Sequence, residues 1–212
     1  MTAAELQDVL FLQFAREPVP GQVKTRMQPV LGPDEACQLH RELVLWTAQR
    51  LTSARLGRVE LAVTGRIDDP LFQQCEAEGV AAVRGQTGED LGQRMYNALH
   101  AGLQRFSRVV LVGSDCPQLD SNYLARALAA LESAEVVLGP AVDGGYVLIG
   151  ARALDASWFE GIKWGSGSVY RETVARFAAS KTCWQGLPPL QDIDRPEDLP
   201  LWQQLAHAAE IR

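Results

Sequence analysis

Short apolar runs alternate with amphipathic stretches along the whole chain. Val9–Ala15 (VLFLQFA) is mostly apolar and ends in a loop carrying Pro18, Pro20 and Gly21, the pattern of a buried strand entering a turn. Pro33 and Asp34 open a helix in which Ala36, Leu39, Leu43, Trp46 and Leu51 recur near helical spacing. Val59–Thr64 (VELAVT) reads as a second strand, Pro70–Glu78 as a short helix, and Val80–Arg84 as a weak third strand. Gly88–Phe106 begins as a glycine-containing loop and becomes amphipathic, with Leu91, Met95, Leu99 and Leu103 on one face. Val109–Val112 (VVLV) is the clearest strand, because three of its four residues are β-branched. Helix over Tyr123–Leu131, strand at Val136–Leu138, a break at Pro140–Gly145 and an extended run at Tyr146–Ile149 follow. Helices over Ser168–Ala179 and Pro196–Ala209 complete the pattern.

Strands alternating with helices predict an α/β fold with a mostly parallel sheet covered on both faces. In such sheets ligands bind beyond the carboxyl ends of the strands, so those ends are where chemistry is expected. The length, 212 residues, fits one domain, and no repeat or linker divides it.

Charge and cysteines narrow the class. With 20 Lys and Arg against 26 Asp and Glu, the net charge is −6. A general nucleic-acid partner is therefore not expected, since such binders need a basic surface. Cys37, Cys75, Cys116 and Cys183 are widely spaced, with no Cys-x-x-Cys pair. They read as reduced thiols of a cytoplasmic protein rather than a zinc site or a disulfide framework. No apolar run approaches the ~20 residues that span a bilayer, so no membrane association is expected.

Four stretches at strand ends carry candidate chemistry. After the first strand, Arg16, Gly21, Lys24 and Arg26 share one loop. Three cations there suggest a polyphosphate site, because guanidinium and ammonium groups pair with phosphate oxygens; a solvated loop with incidental charges is the alternative. It is neither a Walker loop nor a Gly-x-Gly-x-x-Gly fingerprint. After the strong strand, Asp115 in Gly113-Ser114-Asp115-Cys116-Pro117 is placed to hold a divalent metal against phosphates, or to cap a helix. Cys116 beside it has no histidine to activate it and reads as a small apolar residue; His40, His100 and His207 fall in helices. In Asp143-Gly144-Gly145 the carboxylate could meet a substrate or the metal, or the tripeptide is a hairpin turn. Asp192 and Asp194, two apart on an extended segment, point the same way and could reach a metal.

Together, FAREPVPGQVKTRM, GEDLGQRM, GSDCPQL, GPAVDGGYVLIG and DIDRPEDL resemble the bacterial GT-A glycosyltransferase-like family associated with radical-SAM and selenoprotein neighbourhoods. That family lies within the nucleotide-diphospho-sugar transferase superfamily and is similar in layout to phospholactate and molybdopterin guanylyltransferases. The resemblance runs from about Leu10 to about Leu205. It implies a Rossmann-like GT-A three-layer sandwich and a Mg²⁺ or Mn²⁺ cofactor. Asp115 and Asp143 are the implied catalytic residues, joined by Asp194 at the metal. Arg16, Gly21, Lys24, Arg26, Gly88, Asp90 and Arg94 are expected around the nucleotide, and Gly144, Gly145 and Trp164 around the second substrate. Trp164-Gly165-Ser166-Gly167 stands where many relatives carry Trp-Ser-Thr. The expected partners are a nucleotide or nucleotide sugar and a small acceptor. The readings rank as glycosyltransferase, then nucleotidyltransferase, then a binding module without turnover.

Overall fold

The computed structural model describes residues 8–210. Seven strands form one sheet in the order β3-β2-β1-β4-β6-β5-β7. They are β1 (Val9–Arg16), β2 (Arg58–Thr64), β3 (Val83–Gly85), β4 (Arg108–Val112), β5 (Val136–Pro140), β6 (Tyr146–Ala151) and β7 (Trp184–Gly186). β6 runs antiparallel to both β4 and β5, and every other pairing is parallel. Six helices accompany the sheet: α1 (Gln28–Ala54), α2 (Pro70–Ala77), α3 (Leu91–Leu103), α4 (Ser121–Ala130), α5 (Val169–Ala179) and α6 (Leu199–Glu210).

Alternation along the strands builds the layers. In β1, Val9 and Phe11 face a core shared with Val44, Ala48 and Leu51 of α1, Phe72 of α2 and Leu124 of α4. Leu10 and Leu12 face the other side, where Met95 and Leu99 of α3 and Phe177 of α5 cover the sheet. Burial on both faces explains why β1 and β4 read as continuous apolar runs. A third cluster joins Leu39 and Leu43 of α1 to Ile193 and Trp202, and so fastens the C-terminal helix to the outside of α1. The result is the three-layer α/β arrangement that the sequence predicts.

Some details differ from the sequence reading. α1 begins at Gln28, but it breaks at Gly32 (φ 74°) before Pro33, so the regular helix does start at the Pro33-Asp34 signal. β3, expected at Val80–Arg84, starts three residues later and ends one later, at Gly85. β7, only three residues long, went unread, since no periodicity can be seen in so short a strand.

Chain direction brings the motifs together. β1 has β2 on one side and β4 on the other, so the connections diverge there, and ligands bind at such switch points. The loops after β1 and β4 leave from this edge. Because β6 is reversed, the β5–β6 turn with Asp143 lies at the same edge, and the segment after β7 returns to it.

Candidate functional site

The corner after β4 is held from below by a buried polar network. Ser114 Oγ donates to the Phe14 carbonyl (2.7 Å) and accepts from Gln13 Nε2 (2.9 Å), which also donates to the Val44 carbonyl (2.9 Å). Asp115, the next residue, leans outward with its side chain 47% exposed. Lys24 meets it: its Nζ is 2.7 Å from Asp115 Oδ1, and its side chain is only 3% exposed. Lys24 Nζ also donates to the Ile193 carbonyl. The lysine backbone sits at φ 47°, a left-handed conformation that is uncommon for a non-glycine residue. Burial alone would push the Asp115 carboxyl up, but the Lys24 ammonium beside it, with His40 and Arg16 farther off, holds it below its ordinary value.

Residues 191–198 form a strap across this corner. Ile193 N–H donates to the Asp115 carbonyl (2.8 Å) and Gln191 N–H to Gln118 Oε1 (2.9 Å). Asp198 fixes the strap from within, accepting from Gln191 Nε2 (2.8 Å), Asp194 N–H (3.0 Å) and Arg195 N–H (2.8 Å). Asp194 pairs with Arg26. Asp192 lacks such a partner: its Oδ1 is buried and accepts no hydrogen bond. Burial first, then the charges of Asp143 and Asp115, push its carboxyl up to about 7, against the opposing pull of Lys24.

Two clefts open on this edge. The larger, about 360 Å³, is lined by Arg16, Lys24, Arg94, Asp115 and Asp194, with His40, Thr64, Gln86 and Leu91. The smaller, about 210 Å³, is lined by Arg26, Asp143, Asp192, Asp194, Asp198 and the Gly165–Gly167 loop. Asp194 lines both.

The expected site residues divide accordingly. Arg16, Lys24, Arg94 and Asp115 meet in the larger cleft, and Arg26 and Asp143 lie in the smaller one. Gly21, Gly88, Asp90, Gly144, Gly145 and Trp164 line neither. Asp90 caps α3 by accepting from Gln93 N–H (2.8 Å), and the Gly88 carbonyl accepts from Arg94 Nε (3.1 Å), which steers that guanidinium. Asp143 Oδ1 accepts from Gly145 N–H (2.8 Å), so the hairpin-turn reading holds alongside its place in the cleft. Gly144, at φ 92°, lies so close to the next loop that a Cβ would stand 2.2 Å from the Gly167 carbonyl. Trp164 packs edge-on against Tyr146 (6.4 Å) and over Gly92 as a wall behind the site.

His40, read from the sequence as a structural helical residue, and Gln86 and Thr64, not named there, also line the larger cleft. His40 is buried, and its Nε2 lies 2.9 Å from the Arg16 carbonyl, so it braces the end of β1; burial lowers its basicity. Gln86 ties the Ala15 and Ala62 carbonyls together through Nε2 (3.3 and 2.8 Å). Thr64 ends β2. A helical histidine and a loop glutamine carry no signal in one sequence that marks them as cleft residues. Cys116 behaves as expected of an apolar residue, buried with its thiol pushed up to about 12.

Among the described residues no group of three His, Cys, Asp or Glu is gathered as a ready metal site. That does not disqualify Mg²⁺, which commonly uses one or two carboxylates and completes its shell with water and substrate phosphate. The unpartnered Asp192 oxygen close to Asp115 fits such a hard cation. Asp194, engaged by Arg26, is the less available of the two strap carboxylates.

Comparison with known proteins agrees with this architecture. A structure from Desulfovibrio desulfuricans G20, provisionally assigned as a nucleotide-diphospho-sugar transferase, is 33% identical, covers 89% of this chain and 83% of its own, and superposes with a TM-score of 0.80. The 4-diphosphocytidyl-2C-methyl-D-erythritol synthase of Anaerococcus prevotii shares the fold over the whole of both chains, at TM-score 0.65 and 11% identity. The 2-phospho-L-lactate guanylyltransferase of Methanothermobacter thermautotrophicus is 27% identical over 123 residues, 58% of this chain; the chain spans about half the length (53%) of that relative. The first and third of these are transferases by name. Residues 47–166 match the family described as an uncharacterized protein conserved in bacteria (DUF2064), and the chain belongs to that family.

Proposed function

We propose that this protein is a nucleotidyltransferase, which moves a nucleoside monophosphate from a nucleoside triphosphate to a small phosphorylated acceptor. The observation that carries this reading is the buried Lys24 ammonium at the switch point, with Arg16 and Arg94 in the same cleft. Three cations in one cleft of an acidic protein suit a triphosphate better than the lower charge of a sugar diphosphate. In the reaction an acceptor phosphate oxygen bonds to the α-phosphorus. The α–β bridging P–O bond breaks, and its electron pair leaves with pyrophosphate.

In this reading Lys24, Arg16 and Arg94 orient the triphosphate, and the cations stabilise the charge that gathers on the leaving oxygens. Asp115 and Asp192 would hold Mg²⁺ or Mn²⁺, which supplies further neutralisation of phosphate charge when bound. The acceptor takes the smaller cleft, where Arg26, Asp143 and the Gly165–Gly167 loop face it. Gly144 lets the Asp143 turn lie close against the Gly167 carbonyl and so helps set the position of that loop.

Glycosyl transfer from a nucleotide sugar is the second reading, and it is favoured by the assignment of the 33%-identical relative. Product analysis separates the two. Incubation with nucleoside triphosphates, Mg²⁺ and a small-molecule extract is expected to release pyrophosphate, and Lys24→Ala to abolish the release. Nucleoside diphosphate formed from nucleotide sugars, with no pyrophosphate from triphosphates, would overturn the proposal in favour of glycosyl transfer.

A further inference from the structure

Lys24 carries a charge that is almost closed off from water, its side chain 3% exposed. An ammonium has three N–H donors and no acceptor. Two oxygens take it up: Asp115 Oδ1 at 2.7 Å and the Ile193 carbonyl. The residues that supply these oxygens are tied to each other, because Ile193 N–H donates to the Asp115 carbonyl at 2.8 Å. The lysine holds this position from a left-handed backbone, φ 47°, which glycine and asparagine adopt more readily. Its place is therefore set by the loop as well as by its partners.

A carboxylate oxygen and a backbone carbonyl converging on one positive centre are donors that a hard divalent cation also takes. Asp192, whose buried Oδ1 accepts no hydrogen bond, lies within electrostatic reach of both Asp115 and Lys24. The ammonium thus stands among the oxygens that Mg²⁺ or Mn²⁺ would use. A dication arriving alone meets Lys24 on Asp115, with Arg16 and Arg94 in the same cleft, and like charges at short range repel. Pushing Lys24 aside would leave a buried ammonium without its partner, which is costly. A polyphosphate removes both obstacles. It offsets the cations of the cleft, and it gives Lys24, which lines that cleft, another anion to pair with.

We propose that Lys24 is the resident counter-ion of Asp115, and that this corner takes a divalent cation only together with a polyphosphate that draws the ammonium away. The ligand is then the metal–polyphosphate complex rather than the free ion. The inference rests on the assignment of Asp115 and Asp192 to the cation. It does not depend on which transfer reaction follows, since a nucleotide sugar also carries a diphosphate.

The test is a titration of the whole protein with Mn²⁺ alone, followed by electron paramagnetic resonance. Lys24→Gln should bind Mn²⁺ at least tenfold more tightly than the parent does. Lys24→Asn, which suits the left-handed backbone, is the second variant should Lys24→Gln not fold. The gain should vanish when Lys24→Gln is combined with Asp115→Asn. In the parent, the NMR signal of Lys24 Nζ should stay in place with Mg²⁺ alone and shift with Mg²⁺ and inorganic tripolyphosphate. A smaller gain, a gain that survives Asp115→Asn, or a Lys24 signal moved by Mg²⁺ alone would overturn the proposal. Pyrophosphate release plays no part in these readouts, so failure here is distinct from failure of the nucleotidyl-transfer reading.

Discussion

Glu60 and Asp192 are both carboxylates withdrawn from water, yet their surroundings are opposite. Glu60 has three arginines and four hydrogen bonds, and its carboxyl sits at about 2. Asp192 has a buried oxygen with no donor and three other carboxylates nearby, Asp143, Asp115 and Asp194, and its carboxyl sits at about 7. The same functional group is thus stabilised as an anion in one place and opposed as an anion in the other. Burial of an unpaired charge is costly, and perturbed groups of the second kind cluster where a ligand supplies the missing partner. Glu60 is satisfied by its own arginines, whereas Asp192 keeps a buried oxygen that no described residue satisfies.

The largest expected effect breaks the first half of this contrast. Glu60→Ala leaves three guanidinium groups without their common partner, and should cost about 3 kcal/mol of stability in urea unfolding. The arginines, each more than a third exposed, can turn to water, so the loss belongs at the low end for a broken buried pair. Nucleotide affinity should be unchanged. A loss below about 1 kcal/mol would show that the cluster does not hold the glutamate in solution.

The opposite substitution should have the opposite sign. Asp192→Asn removes an unfavourable charge, so at pH 8 it should stabilise the fold by on the order of 1–2 kcal/mol while weakening Mg²⁺-dependent triphosphate binding at least tenfold. The pH dependence follows from linkage. The folded protein holds the Asp192 proton more tightly than the unfolded chain does. The group's contribution is therefore greatest below the ordinary aspartate value and is lost as pH rises through about 7. The thermal advantage of Asp192→Asn should accordingly shrink on acidification from pH 8 and vanish near pH 4. A variant less stable than the parent at pH 8 would show that Asp192 has a partner in solution.

The smallest effect sharpens the contrast. Asp143→Asn keeps the turn, because asparagine accepts the same local hydrogen bond, and should change stability by less than about 1 kcal/mol. It removes one of the charges that raise Asp192, so the pH at which the Asp192-dependent stability is lost should move down. An unmoved midpoint would place Asp143 outside electrostatic reach of Asp192.

Much of this molecule is legible from one sequence. The strongest strands, β1, β2 and β4, and the long amphipathic helices follow from local periodicity, and the loops carrying Lys24, Asp115 and Asp143 follow from where those strands stop. β7 is too short to show a period, and the reversal of β6 depends on its neighbours rather than on its own residues. Glu60 illustrates the harder case. Within VELAVT it is the one charged residue, and nothing local names its partners, which come from positions 58, 84 and 105.

The strap shows where the division falls. Two aspartates two apart on an extended segment share a side by backbone geometry alone, and the sequence is enough to nominate both. Which one is neutralised depends on Arg26, 168 positions away, meeting Asp194, and on Asp198 clasping the strap so that Asp192 turns toward Asp115. Local pattern therefore determined the elements, their order and the chemistry at their ends, because propensity and periodicity act over a few residues. Charge state, pairing and the separation of the clefts were decided only by the tertiary structure, because electrostatic and packing terms act between residues that the chain order keeps far apart.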